Sequence, residues 1–163
     1  MKKVDKHTKK ELLILTYLRQ NARLKLTKLS KLTGIPVSTI FDRIKAGSRL
    51  IQKHTTLINF QELGYTTRAT ITLKTKKEQR QELQEHLVNH SQINSTYRIN
   101  NGYDFLIEGI FRHIKELEDF LETLEENYAI KAKQVYYIIE DLKREAFMSR
   151  PENVQMVIEE EHF

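Results

Sequence analysis

The side chains able to do chemistry in this sequence are mostly cations, and they are unevenly spread. Of its 163 residues, 1–65 carry 14 Lys and Arg against 4 Asp and Glu, while 66–163 carry 13 against 18. A basic segment joined to an acidic one points to two modules, one of them attracted to a polyanion. Cysteine is absent, which excludes disulfides, thiolate metal sites and cysteine nucleophiles. No nucleophile–base pair and no phosphate-cradling glycine loop stands out. His86 and His90 lie four apart with Glu82 on the same face of an expected helix, a spacing that could hold a divalent cation. On so charge-rich a helix the run reads first as surface, and no metal or cofactor is expected. No apolar run approaches the roughly 18 residues of a membrane span. The start Met1-Lys2-Lys3 leads into a charged stretch and not a signal-peptide core. A cytoplasmic protein with no membrane partner is expected.

The elements that must position the cations follow from periodicity. Leu12, Leu15 and Leu18, widened by Ile14, form an apolar stripe over Lys6–Asn21, which predicts a helix. Leu26, Leu29 and Leu32 mark a second helix with Thr27 as its candidate N-cap, and Gly34 suits its end. A third helix is expected over Val37–Lys45, burying Ile40 and Ile44, with Ala46-Gly47-Ser48 ending it. Two short helices around Thr33-Gly34-Ile35-Pro36 make a helix-turn-helix pattern. The β-branched stretch Leu50–Asn59 reads as a strand or wing leading to a linker through Tyr65.

Beyond the linker the period changes. Ala69, Ile71 and Leu73 alternate with polar partners as a half-buried strand. Lys77–Asn89 is helical, with Leu83 and Leu87 four apart. Ile93, Ser95, Tyr97 and Ile99 form a second strand and Phe105–Phe111 a third, with Asn101-Gly102 as a two-residue hairpin turn. Ile114, Leu117, Leu121 and Leu124 stripe a second helix, and Ile130–Glu140 is a last strand. The order β-α-β-β-α-β is ferredoxin-like. The third strand sets Phe105, Ile107 and Phe111 against Leu106 and Ile110; the fourth sets Val135, Tyr137 and Ile139 against Tyr136 and Ile138. Two helices cover only one face of such a sheet, so a second copy is the expected cover for the other. In the tail, alternating Val154, Met156 and Ile158 suggest an added edge strand, with Glu159-Glu160-Glu161 in solvent.

Three stretches together resemble the leucine-responsive regulatory protein/AsnC family of transcription regulators. They are the helix-turn-helix from Leu12 to Ile44, the linker His54–Tyr65, and the βαββαβ module with Tyr103-Asp104-Phe105 after its hairpin. The wording of the third helix and the linker is similar to archaeal members. The resemblance implies an α+β chain with an N-terminal (winged) helix-turn-helix domain at 1–54 and a linker strand at 55–65. A ferredoxin-like dimerisation and effector domain follows at 66–148, then a tail at 149–163. It implies a nucleoid-associated regulator that binds double-stranded DNA as a homodimer through the C-terminal sheet, or as a tetramer or octamer. It also places a small-molecule effector at Asn101, Gly102, Tyr103 and Asp104, where family members often carry Gly and an acidic residue in the hairpin. Sirohaem decarboxylases resemble the same architecture and are the alternative reading, but they carry histidines where this chain runs Ser95–Tyr103 without one.

In a helix-turn-helix the second helix lies in the major groove. With Ile40 and Ile44 inward, Ser38, Phe41, Asp42 and Lys45 face outward, flanked by Val37, Thr39 and Arg43. Ser38 and Thr39 suit base edges or phosphates, and Arg43 suits a guanine. Val37 and Phe41 suit a thymine methyl, and Asp42 a cytosine amine or a neighbouring cation. Lys28, Lys31, Lys45, Arg49 and Lys53 are candidates for phosphate contacts. A two-fold dimer then reads a near-palindromic site.

Overall fold

The computed structural model describes residues 6–47 and 49–159. Ser48, the start Met1-Lys2-Lys3 and the acidic Glu160-Glu161 lie outside the described residues. The elements in chain order are α1 (Lys6–Gln20), α2 (Leu26–Thr33), α3 (Val37–Ala46), β1 (Thr67–Thr75), α4 (Arg80–Asn89), β2 (Ile93–Arg98), β3 (Phe105–Phe111), α5 (Ile114–Asn127), β4 (Ile130–Tyr137) and α6 (Glu152–Glu159). Short 3-10 turns sit at Gln61–Leu63 and Lys77–Gln79. The chain divides into two compact units. One comprises residues up to Thr55 together with those from Leu142 onward; the other is Thr56–Asp141.

The N-terminal unit is built on Ile14, Leu29, Ile35 and Ile40, all buried, with Tyr17, Leu18, Leu24 and Leu26 packed against them. The stripe of α1 therefore centres on Ile14, and Leu12 and Leu15 are only half-buried. Of the leucines at three-residue spacing, Leu29 is buried and Leu32 exposed. Steps of three on a 3.6-residue helix rotate steadily off the core. Helix α2 begins one residue before Thr27, with Lys25 at the N-cap and no capping side chain; Leu29 N–H already donates to Lys25 O at 2.9 Å. Thr27 is thus inside the first turn, not the cap. Gly34 ends α2 at φ +68, and its N–H donates to Ser30 O at 2.9 Å. Thr33 Oγ1 donates to Leu29 O and accepts from Ile35 N–H, so the turn before Pro36 is tied within itself.

Two sequence expectations change here. Residues 51–59 carry no strand, because β-branched composition needs a partner strand to satisfy its backbone. The tail forms α6, not an edge strand. Pro151 sits just before it, Arg150 N–H donates to Asn153 Oδ1 at 3.2 Å, and Val154 N–H donates to Pro151 O at 3.0 Å. Glu152 in the first turn suits the helix dipole, and Val154 is buried.

The second unit is a four-stranded antiparallel sheet in the order β2-β3-β1-β4 with α4 and α5 as the crossovers. The helix-side core joins Ala69, Ile71 and Leu73 of β1 to Phe105, Ile107 and Phe111 of β3. Leu83, Leu87, Leu117, Phe120, Leu121 and Leu124 of the helices lie over them. Gly109 leaves the space Phe111 fills, since a Cβ there would collide with the Phe111 ring. A register shift between Ile93 and Ser95 pairs Ile93 with Gly109 and Ser95 with Glu108. Ile93 therefore packs on the core while Ser95 lies on the other face, which divides residues that simple alternation places together. Lys77–Gln79 is a 3-10 turn, so α4 proper starts at Arg80. β4 ends at Tyr137, and Ile139 beyond it is 94% exposed.

On the face away from the helices, Leu106, Ile110, Tyr97, Tyr136, Thr70 and Thr72 surround a charged network. Arg68 Nε donates to Glu108 Oε1 at 2.5 Å, and its Nη1 donates to both carboxylate oxygens of Asp141 at 2.8 and 2.7 Å. Asn94 Nδ2 donates to Glu108 Oε2 at 2.5 Å. Apolar residues on both faces are present as the sequence implies, but the open face is mixed rather than uniformly apolar.

Candidate nucleic-acid interface

The small core of the N-terminal unit fixes which face of α3 meets solvent. Ile40 is buried; Val37, Ser38, Phe41, Asp42 and Lys45 are exposed, and Thr39 and Arg43 are half-buried. Ile44, expected inward, is 40% exposed although it shares the face of Ile40, because it sits in the last turn of α3, where the neighbouring Lys45, Ala46 and Gly47 are open to solvent. The outward face is amphipathic. Phe41 is 51% exposed with Lys45 Nζ 5.9 Å from its ring centroid, which holds an ammonium beside an apolar contact surface. Arg43 makes interactions of its own within the protein, and its Nε is buried. It is a less open base reader than its neighbours.

The N-terminus of α3 has Pro36 at the N-cap and no capping side chain. The first helical bond there runs from Ile40 N–H to Pro36 O at 3.0 Å, so the N–H groups of Val37, Ser38 and Thr39 precede the ladder. Such groups favour phosphate oxygens. Lys28 and Lys31 on α2, and Arg49 and Lys53 after α3, are exposed and available for phosphate contacts in the sense of charge neutralisation.

The expected effector segment is a real turn. Asn101 and Gly102 have φ of 61 and 90, and Ile99 N–H donates to Asp104 O at 3.0 Å below them. Positive φ at both central residues is what a type I′ turn requires. Asn101 and Gly102 are exposed and Tyr103 half-buried. Asp104 is different: its Oδ2 accepts from Thr75 N–H at 3.0 Å and its Oδ1 lies 2.6 Å from Arg80 Nη2. That carboxylate ties the end of β1 to the start of α4, a role its place after the hairpin did not reveal. A cleft of about 520 Å³ opens elsewhere in this unit, lined among others by Phe60, Tyr65, Ile93, Ile110, Arg112 and Glu116. Arg112 N–H donates to Glu116 Oε2 at 2.5 Å, and its guanidinium lies 5.8 Å from the Tyr65 ring centroid.

His86 and His90 pack as aromatic rings. Their centroids are 5.4 Å apart, with His86 edge-on to Tyr128 and His90 4.8 Å from Phe120. Burial, and then the neighbouring His86, push His90 below the usual imidazole pKa. Burial, and then Glu82, raise that of Tyr128. Among the described residues no group of three His, Cys, Asp or Glu side chains is placed to hold a metal ion, and no helix is long and apolar enough to cross a membrane.

A basic helix-turn-helix joined in one chain to a ferredoxin-like sheet is the construction of a DNA-binding transcription regulator. Residues 68–147 match the family described as the Lrp/AsnC ligand binding domain, and residues 8–46 match winged helix-turn-helix DNA-binding domains. The HTH-type transcriptional regulator FL11 of Pyrococcus abyssi is 32% identical over 113 residues, covering 68% of this chain and 75% of that protein. FL11 of Pyrococcus furiosus gives the same identity and coverage. Among solved structures, a Neisseria meningitidis transcriptional regulator in complex with L-Met superposes with a TM-score of 0.74 at 20% identity, over 86% of this chain and 92% of that one. The chain belongs to the Lrp/AsnC family of transcriptional regulators. It is a DNA-binding regulator and not a catalyst, which sets aside the sirohaem decarboxylase alternative.

Proposed function

We propose that this regulator binds near-palindromic double-stranded DNA as a homodimer, with residues 1–54 as the DNA-binding module and 55–65 as the linker. Residues 66–148 supply the dimer contact and any effector site. The observation that carries the reading is the outward face of α3, where Ser38, Phe41, Asp42 and Lys45 stand exposed beside exposed Lys28, Lys31, Arg49 and Lys53. In the groove, Ser38, Thr39 and Arg43 read base edges, Val37 and Phe41 touch thymine methyls, and the lysines neutralise phosphates. Two-fold symmetry would offer two such helices about one DNA turn apart. The open sheet face, with Leu106, Ile110, Tyr97 and Tyr136, supports the pairing of two copies and is compatible with higher assemblies. An effector, where one acts, engages the hairpin tip at Asn101, Gly102 and Tyr103, because Asp104 is already committed to Thr75 and Arg80. The site of action is the nucleoid, in the cytoplasm.

The test is binding of the purified protein to genomic fragments, its own promoter region included, at two salt concentrations. Fragment-selective, salt-sensitive binding that Phe41→Ala and Lys45→Ala weaken with the fold intact would support the reading. Absence of binding at low salt would overturn it.

A further inference from the structure

The chain passes between the two units twice, once after Thr55 and again after Asp141, and the second passage is anchored on both sides by an arginine. On the sheet side, Arg68 of β1 accepts Ile138 N–H at its carbonyl, 2.8 Å away, and grips the Asp141 carboxylate with Nη1 at 2.8 and 2.7 Å. The same guanidinium holds Glu108 of β3. On the helical side, Arg19 at the end of α1 donates through Nε to Phe147 O at 2.7 Å and through Nη2 to Glu145 O at 3.0 Å, with the Glu145 carboxylate at 3.3 Å. Glu145 and Met148 both hold positive φ, 47 and 57. Non-glycine residues keep that conformation only where their surroundings over-determine it, and here they frame the carbonyl that Arg19 grips most closely. Beyond them α6 packs on α1, burying Val154. The family match ends at residue 147, so α6 lies outside it.

We propose that residues 138–159 are a strap through which the sheet and the DNA-binding unit influence one another, rooted by Arg68 and clasped by Arg19. Only residues 142–144 separate the root at Asp141 from the clasp at Glu145. Four peptide steps reach roughly 14 Å at most, so the strap limits how far its two anchors can part. Arg68 and Glu108 also lie on the open sheet face, where a second copy is proposed to dock. A change there therefore moves the root, and the strap delivers it to α1, which packs against the helix-turn-helix.

Hydrogen exchange of the full chain, read peptide by peptide, tests this without DNA. Asp141→Asn loosens the root inside the sheet unit. The strap reading expects exchange in α1 and α6 to rise about fivefold, the lower end of common coupling factors. Exchange that rises only in β1 and β4 would overturn it. A Gly-Ser-Gly-Ser insertion after Lys143 keeps both anchors and supplies slack; in that background Asp141→Asn should no longer reach α1 and α6. An effect that persists would show that the coupling bypasses the strap. A second arm rests on the DNA-binding reading: Asp141→Asn should weaken binding to a two-half-site fragment about fivefold and to a single half-site less than about twofold. If the wild-type chain binds neither fragment, the DNA reading fails while the exchange result still decides the strap.

Discussion

Among the described residues, the two units have apolar cores of very different size. The sheet unit encloses, among those residues, 13 buried side chains in one core, from Ala69 to Tyr128, whereas the core of the DNA-binding unit has four, Ile14, Leu29, Ile35 and Ile40. A bundle of about 40 residues is near the limit at which a hydrophobic core alone holds a fold. The smaller unit gains the Arg19 clasp and the packing of α6, both drawn from the far end of the chain. The difference teaches that the helix-turn-helix is the part least able to stand by itself, and its packing depends on segments from the far end of the chain.

That contrast can be broken from either side. Removing the Phe111 ring opens a cavity beside Gly109, and Phe111→Ala should cost the sheet unit about 3–5 kcal/mol, read as a lower midpoint for the unfolding of that unit. Ile40→Ala should cost about 2–4 kcal/mol, a smaller loss that takes most of the margin of its unit. Calorimetry should then show the DNA-binding unit melting first, with the sheet transition unmoved; a single concerted transition would mean the units share one stability. Gly34→Ala places a Cβ at φ +68 and should cost about 1–2 kcal/mol, measurable by denaturant midpoint and confined to the helical unit.

The smallest effect concerns pH. Because His90 is held below the ordinary imidazole pKa by burial and His86, the unfolded chain takes up a proton more readily than the folded one. Stability of the sheet unit should therefore be full at neutral and higher pH and decline as pH falls from about 6.5 towards the lowered folded value. His90→Gln should flatten that decline relative to wild type.

The contrast also explains what the sequence made legible. Alternation at Ala69, Ile71 and Leu73 and the Asn101-Gly102 turn report local geometry, so the sheet and its hairpin can be read directly. Gly34 marks the helix-turn-helix for the same reason. The shift at Asn94 leaves no compositional mark, because a bulge depends on the partner strand. The return of the C-terminus is equally silent, since Arg19 meets Glu145 and Phe147 across more than a hundred residues and no period records a contact that distant. In the tail, Val154, Met156 and Ile158 suit a strand by spacing, but Pro151 and Asn153 start a helix. Half-burial of Arg43 shows the same limit within the candidate site: the residue type was evident, but how much of it solvent reaches depends on tertiary packing.

The DNA-binding unit is discontinuous in sequence, and that orders its birth on the ribosome. Its three N-terminal helices emerge first, but α6 emerges last. The whole of 56–141 is synthesised between them. The helices made first must therefore wait for α6 before their unit is whole, and a chain cut short before α6 should keep its sheet while the helical unit loosens.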